Sequence, residues 1–198
     1  MSKPVVITKQ MIDEAAVAMV RESGLGALTA RNIAGRLKCS TQPIYKTYEN
    51  MDKLKEVTMA ALEASVMQSI VTYRETGCAY LDSGLGYIHF ARTEKVLFNL
   101  LCLENKNHNL QKTDMDNAAI RILMEQELRN LALSPAAKDK IFLKTMIFTH
   151  GLAVLAFGAQ LTFAENETAM LLQETFEGYV NQELEGENRA YSYSWRKP

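Results

Sequence analysis

Residues 28–54, LTARNIAGRLKCSTQPIYKTYENMDKL, decide how the N-terminal part of this chain folds. Their pattern predicts two short helices that are joined by a tight turn and followed by the start of a longer helix. Thr29 and Ser40 are the predicted N-caps, since their hydroxyl groups can accept hydrogen bonds from the free N–H groups of a first helical turn. In the second short helix Ile44 and Tyr48 face inward, which leaves a polar outward face. This layout is typical of a helix-turn-helix, whose second helix enters the DNA major groove.

The rest of the chain also has helical periodicity. A first helix is predicted from Thr8 to about Gly24, and a fourth from about Met51 to Thr76. Further helical segments are predicted at 80–91, 94–104, 115–133, 135–163 and 166–185. The expected fold class is therefore all-α. It comprises an N-terminal three-helix helix-turn-helix DNA-binding domain (1–55), helix 4 as a connector, and a C-terminal helical ligand-binding and dimerisation domain (56–198).

Charge is distributed unevenly along the chain. The formal net charge is −1, but residues 1–55 hold nine Lys and Arg against five Asp and Glu, a balance of +4. Residues 56–198 hold thirteen against eighteen, a balance of −5. A basic first quarter followed by an acidic remainder is expected when only one module contacts phosphate.

Several classes of protein are disfavoured by the sequence. The cysteines Cys39, Cys78 and Cys102 lack paired spacing, which argues against disulfides and a zinc site and favours a cytoplasmic protein. The N-terminus lacks the apolar core of a signal peptide. The apolar run 146–163 contains His150, Gly and Gln, and is interpreted as a buried helix rather than a membrane span. No catalytic or metal-binding constellation is found, so neither an enzyme nor a bound cofactor is expected.

Three motifs in the N-terminal part have the residue spacing of a known family. They are Ile12-x-x-Ala15-Ala16, then Gly24 with Leu28-Thr29-x-Arg31-x-Ile33-Ala34-x-x-Leu37, and then Ser40-x-x-x-Ile44-Tyr45-x-x-Tyr48-x-Asn50-x-x-x-Leu54. Over roughly the first 60 residues the chain resembles the TetR family of one-component transcriptional regulators. Weaker similarity, at residues 86–101 and at Phe148-x-His150-Gly151-Leu152-Ala153, resembles the family's ligand-side domain and its dimer-forming helix.

The chain departs from the family pattern at two positions. Lys38 stands in the turn where a Gly is usual, and Met51 stands where a phosphate-contacting Lys is usual. We expect Lys53 to replace that missing contact in part.

The predicted DNA contacts combine base and phosphate recognition. Gln42 can pair with adenine, Thr41 and Pro43 can meet a thymine methyl, and Lys46 can reach guanine or a phosphate. The remaining contacts are expected at phosphates. The predicted DNA-binding residues are Thr29, Arg31, Ser40, Thr41, Gln42, Pro43, Tyr45, Lys46, Thr47 and Lys53.

The C-terminal part supplies two further predicted surfaces. A pocket for a small, mostly apolar molecule is predicted from Tyr87, Phe90, Phe98, Cys102, Met124, Phe142, Met146 and His150. A homodimer interface is predicted from two stripes at helical spacing: Ile147, Gly151, Val154 and Gly158, and Leu172, Phe176, Val180 and Leu184. For each residue in either set, a place in the core of its own chain is the alternative interpretation.

The expected function is a ligand-responsive DNA-binding transcriptional regulator. As a homodimeric repressor it would bind a near-palindromic operator, and a small apolar effector would release it. A helical protein–protein adaptor without specific DNA binding is the alternative.

Overall fold

The computed structural model describes residues 6–104, 116–160 and 163–186. Within these ranges all regular structure is helical, so the predicted all-α class is confirmed. The helices are α1 Lys9–Ser23, α2 Ala30–Leu37, α3 Gln42–Thr47, α4 Met51–Thr72, α5 Ala79–Thr93, α6 Lys95–Phe98, α7 Asp116–Glu127, α8 Pro135–Phe157 and α9 Glu165–Gly186. Leu25–Ala27 forms a single 3₁₀ turn, and Asn99–Leu103 continues α6 as a π-helical turn.

The chain forms two compact units. The first contains the described residues 6–68 and 93–104, and the second contains 69–92, 116–160 and 163–186. The first unit is larger than the predicted domain 1–55 because α1 is held to the segment that begins at Thr93. Arg21 of α1 forms an ion pair with Glu94 and donates a 2.9 Å hydrogen bond to Ser65.

The first two helices begin at their predicted caps. The Thr8 hydroxyl accepts a hydrogen bond from the Met11 N–H, and the Thr29 hydroxyl accepts one from the Asn32 N–H, both at 3.2 Å. The apolar residues of α1 recur at helical spacing, and Ile12, Ala15, Ala16, Met19 and Val20 are buried, with Ile12 and Val20 fully enclosed. The core of this unit therefore follows from helical periodicity and local capping.

In the second unit α8 lies along α9, and α5 packs closely on α9. A Cβ at Gly84 would stand 3.4 Å from a methyl group of Leu172, so a small residue permits this approach. The buried hydroxyls of Thr145 and Thr149 each donate to a carbonyl one turn earlier in α8, at 2.8 Å. These two threonines are thus accommodated in the interior by bonding to their own helix.

Three helix ends differ from the sequence prediction. Helix α4 ends at Thr72 rather than 76, α7 at Glu127 rather than 133, and α8 at Phe157 rather than 163. Helix α8 ends because the backbone turns at Ala159, where φ is +55°, and the Gln160 N–H bonds back to the Leu155 carbonyl at 2.8 Å. The prediction that the apolar run 146–163 forms a single helix is therefore wrong beyond Phe157.

Helix α8 is long and apolar enough, by length and composition alone, to cross a membrane, which is weak support for a span. Its most apolar window is 39% buried inside the protein. The helix is therefore only partly covered by its own chain, in contrast to the predicted buried helix.

Candidate nucleic-acid interface

The turn between α2 and α3 depends on a left-handed residue. Lys38 has φ +52° and ψ +45°, and its N–H and that of Cys39 bond back to the Gly35 and Ala34 carbonyls at 3.2 and 2.9 Å. These two bonds form a Schellman ending, in which the left-handed position is usually glycine. A lysine there costs about 1 kcal/mol, because its Cβ crowds the following carbonyl oxygen. Its side chain is exposed beside the turn.

The start of α3 differs from the prediction, since Ser40 is not its N-cap. The residue before the helix is Thr41, with φ −74° and ψ −14° and no side-chain capping bond. Its main-chain carbonyl accepts from the N–H of Ile44 at 3.2 Å and from that of Tyr45 at 3.4 Å. Pro43 lies in the first turn, where its missing N–H leaves no partner unsatisfied.

Two inward side chains hold α3 in place, as predicted. Ile44 is 1% exposed and Tyr48 is 5% exposed. The Tyr48 hydroxyl donates to the Asp13 carboxylate and accepts a 2.8 Å hydrogen bond from the Lys9 ammonium. Burial, followed by the bond to Asp13, raises the pKa of Tyr48 above its ordinary value. This bonded group joins the end of α3 to the first turns of α1.

The outward face of α3 presents three exposed side chains, Gln42, Tyr45 and Lys46. Tyr45 is 55% exposed. The fourth polar candidate, Thr47, is half-buried and donates its hydroxyl proton to the Pro43 carbonyl at 2.8 Å. Thr47 therefore has no free hydroxyl proton to donate to a phosphate, although phosphate contact was its predicted role.

The flank of α2 supplies the other predicted contacts. Arg31 is exposed on the surface of α2, and Thr29 is exposed at its start. The Thr29 oxygen accepts the capping bond from Asn32, which leaves the hydroxyl proton available to an acceptor such as phosphate.

The basic side chains of this region fall into two groups. Arg36 makes two 2.7 Å hydrogen bonds to Glu22, Lys53 lies 2.9 Å from Glu56, and Lys55 lies 3.4 Å from Asp52. The Arg36 bonds lower the pKa of the Glu22 carboxyl.

A second group of cations has no acidic partner among the residues that the structure describes. Arg31, Lys38 and Lys46 form no ion pair within the part of the chain that the structure describes. The uncompensated positive charge is thus concentrated on α2, the turn and α3. Lys38 was not among the predicted contacts. Lys38 stands where the resembled family usually has a turn glycine, and this difference was the sequence signal that could have marked Lys38 as a candidate contact.

The first unit contains all ten predicted DNA-binding residues. Lys53 is the least suitable of them, because its side-chain ammonium is already paired with Glu56. Its backbone N–H is also occupied, since it donates to the Asn50 side chain at 2.8 Å. An external phosphate would have to compete with that carboxylate.

The predicted pocket residues are not all in one unit. Phe98 and Cys102 belong to the first unit, and the other six belong to the second. In the second unit Phe90, Met124 and Phe142 are buried core residues. Tyr87 and His150 are half-buried, and the Tyr87 hydroxyl lies 2.9 Å from His150 Nδ1, so these two predicted residues are brought together.

The two predicted interface stripes have opposite surroundings. On α8, Ile147 is 55% exposed and Val154 37% exposed, while Gly151 and Gly158 are also exposed. On α9, Leu172, Phe176 and Val180 are 1%, 6% and 8% exposed. Leu184, the fourth member of the α9 stripe, is half-buried. Three of the four α9 residues therefore lie in the interior of their own unit, whereas the α8 stripe is outward-facing.

A scan against protein-family models and a search of curated proteins returned no match for this chain.

Proposed function

We propose that this protein is a DNA-binding transcriptional regulator of the type that the N-terminal resemblance suggests. The observation that supports this most directly is the group of uncompensated cations Arg31, Lys38 and Lys46 around α3. Elsewhere in α2–α4 the cations are paired with carboxylates, so the positive field is strongest where a recognition helix would meet DNA.

The firm attachment of α3 supports the same proposal. A helix of six residues has too few internal hydrogen bonds to be stable alone. Tyr48 and its two polar partners join the helix to α1, Ile44 is buried on its inner face, and the outward side chains remain exposed. A preorganised polar surface of this kind suits base recognition, because less ordering has to occur on binding.

A homodimer is the second part of the proposal. One short helix makes few base contacts, and two copies would span successive major grooves about 34–36 Å apart on a near-palindromic operator. The exposed apolar stripe of α8 supports this arrangement. Leu143, Ile147, Val154 and Leu155 are 38%, 55%, 37% and 41% exposed. A Cβ built on Gly151 meets nothing within 4 Å, so a partner helix has room to approach there.

Control by a small molecule is the third part. The second unit combines an apolar interior with the half-buried Tyr87–His150 pair, which suits a mostly apolar effector with one polar group. We propose that the effector favours a conformation with lower DNA affinity, so that the repressor is released. Apolar ligands that bind should raise the melting temperature and release the DNA.

Selection of bound sequences from a random DNA pool tests the core of the proposal. The wild type should enrich a motif with two-fold symmetry. The double variant Arg31→Ala/Lys46→Ala should bind the selected DNA at least tenfold more weakly. The slope of log affinity against log salt concentration should become less negative by roughly 0.9 for each phosphate that the variant no longer neutralises.

The matched control is Arg129→Ala/Lys138→Ala, which removes the same charge from the second unit. It should retain wild-type affinity. If the wild type binds no DNA at low salt, the proposal is wrong and an adaptor without DNA affinity becomes the better interpretation. If both double variants lose affinity equally, the α2–α3 surface is not the DNA-binding surface, which also contradicts the proposal.

A further inference from the structure

Asp82 of α5 is a buried carboxyl group whose two oxygens have different surroundings. The residue is 0% exposed. Its Oδ1 accepts two 2.7 Å hydrogen bonds from Thr76, one from the backbone N–H and one from the hydroxyl. Its Oδ2 is buried and has no hydrogen-bond partner among the residues that the structure describes. One of the two oxygens is therefore left without a donor.

The charge of Asp82 also lacks a partner. No ion pair within the described ranges includes this residue. Arg74, the cation nearest to it in the sequence, instead donates to the backbone carbonyls of Val71 and Tyr73. A buried carboxylate is normally paired, because an uncompensated charge in the interior is costly. A single cationic group with an N–H donor would supply both the missing charge and the missing hydrogen bond.

A trapped water or a metal ion suits this position less well than an ammonium group. A buried water typically makes about three hydrogen bonds to otherwise unsatisfied groups. In the described part of the chain, Oδ2 is the only buried side-chain oxygen or nitrogen without a partner. A hard metal ion needs about six oxygen ligands. The same part of the chain contains no group of three or more His, Cys, Asp or Glu that could hold a metal ion.

The face of α5 that carries Asp82 also meets apolar parts of the chain. Gly86 lies one turn later on the same face. A Cβ built on it would stand 2.8 Å from the Tyr73 Cβ and 3.2 Å from the Ile70 Cα. Ile70 is buried and Tyr73 is half-buried. An apolar group attached to the ammonium would pack against such residues, and the Tyr73 ring offers a face that attracts cations.

The loop between α4 and α5 provides the route to Asp82. Thr76, which bonds directly to the carboxyl group, is exposed, and so is Gly77. Gly77 has φ +85°, which glycine adopts without strain, and a Cβ built there meets nothing within 4 Å. Since nothing packs against Gly77, this loop can shift to admit a ligand without displacing core side chains.

We propose that Asp82 binds the ammonium group of a small organic cation with an apolar body, such as a protonated arylalkylamine. The site lies within the second unit. It is separate from the Tyr87–His150 pair, because positions 82 and 87 are about 140° apart around α5. The inference goes beyond the proposed function, since binding at Asp82 requires no DNA.

Shifts in melting temperature test the site with three probes that share a phenethyl group. Phenethylamine, which is protonated at neutral pH, should raise the melting temperature of the wild type. Phenethyl alcohol keeps a donor but has no charge, and phenethyltrimethylammonium keeps the charge but has no N–H. The amine should bind at least about tenfold more tightly than either, because a hydrogen bond between two charged groups is the strongest kind.

Asp82→Asn removes the charge but keeps an oxygen that can accept both bonds from Thr76, so the variant should fold. Its affinities for the amine and the alcohol should agree within about twofold, because both then form neutral-acceptor hydrogen bonds. Glu174→Gln is the matched control. It removes a charge from the exposed surface of α9 in the same unit, and it should bind the amine like the wild type.

Three results would overturn the site. Equal affinity of the wild type for the amine and the alcohol would show that no charge is recognised, and this result needs no variant. Unchanged amine affinity in Asp82→Asn would place the ligand elsewhere. An equal shift with ammonium chloride at the same concentration would show that a small inorganic cation is the occupant. None of these results bears on DNA binding, which the Arg31→Ala/Lys46→Ala variant tests separately.

Discussion

The Lys9 ammonium donates a 2.8 Å hydrogen bond to the phenolic oxygen of Tyr48, 39 residues later in the chain. Lys9 is the first residue of α1, and Tyr48 directly follows α3. Asp13 completes the group, since it accepts from the Tyr48 hydroxyl and lies 2.6 Å from the Lys9 ammonium. The end of the candidate recognition helix is therefore attached to the helix that begins the domain.

Tyr48→Phe should loosen this attachment without disturbing the apolar core. The ring can stay in place, while the hydroxyl and its hydrogen bonds are removed. We expect the free energy of unfolding to fall by about 1 kcal/mol. Sequence-specific DNA affinity should fall more than non-specific affinity, because a less ordered α3 costs more to position. Urea unfolding and competition binding measure the two effects, and equal losses of both affinities would contradict the assigned role.

The same group predicts sensitivity to alkali. The folded state raises the pKa of Lys9, chiefly through its hydrogen bond to Asp13, and raises the pKa of Tyr48, chiefly through burial. A raised pKa means that the folded state holds the proton more tightly than the unfolded state. The contribution to stability is therefore complete below the ordinary tyrosine value of 10.0 and is lost as pH rises above it. Urea unfolding between pH 8 and 11 should show this decline, and Tyr48→Phe should make it shallower.

Lys38→Gly should have opposite effects on stability and on DNA binding. Glycine adopts the left-handed conformation without a Cβ clash, so the free energy of unfolding should rise by about 1 kcal/mol. Loss of the cation should weaken DNA binding and reduce its salt dependence. Ala159, with φ +55°, offers the matched control in the second unit. Ala159→Gly should also stabilise the protein but leave DNA affinity unchanged. A loss of stability in Lys38→Gly would show that the lysine side chain stabilises the turn.

The parts of the fold that were predicted correctly from sequence depend on neighbouring residues. Thr8 and Thr29 cap their helices through hydroxyls that bond three residues ahead, and the stripe of α1 follows from a fixed helical period. The inward positions Ile44 and Tyr48 were found in the same way. Ser40 was predicted wrongly because cap preference identifies suitable residues but not the backbone conformation of the next residue, Thr41.

Other features depend on contacts between distant residues. The pairing of Arg21 with Glu94 spans 73 positions, and no local pattern indicates it. Periodicity identified Ile147 and Leu172 as members of apolar stripes, but it contains no information on which neighbour covers a stripe. The structure resolves this by burying Leu172 and exposing Ile147. The end of α8 is local but was missed for a different reason, because it depends on Ala159, a residue type that rarely adopts a left-handed conformation.

Gly86→Ala should destabilise the second unit. A Cβ at this position would lie 2.8 Å from the Tyr73 Cβ and 3.0 Å from the Ile70 carbonyl oxygen, and neither atom belongs to the flexible end of a side chain. The free energy of unfolding should fall by about 2 kcal/mol. Gly178 of α9 is the control, since a Cβ there meets nothing within 4 Å. Gly178→Ala should stabilise the protein by about 0.5–1 kcal/mol through helix propensity. Urea unfolding compares the two, and equal effects would mean that α5 can shift away from Ile70.

The outward stripe of α8 can be tested with two isoleucines of nearly equal exposure. Ile147 is 55% exposed on the stripe, and Ile122 is 54% exposed on α7. Glutamate at either position leaves the core of a single chain intact, so both variants should fold, and Ile147→Glu should melt at a lower temperature only by the amount that dimerisation contributes. If the α8 stripe forms the subunit interface, a carboxylate at Ile147 would be buried without a partner in the dimer, at a cost of several kcal/mol. Ile147→Glu should therefore sediment as a monomer and lose most of its operator affinity, because each half-site would then be bound independently. Ile122→Glu should sediment like the wild type and retain its affinity.

Two outcomes would exclude the α8 stripe as the interface. They are a wild type that sediments as a monomer at micromolar concentration and an Ile147→Glu variant that remains dimeric.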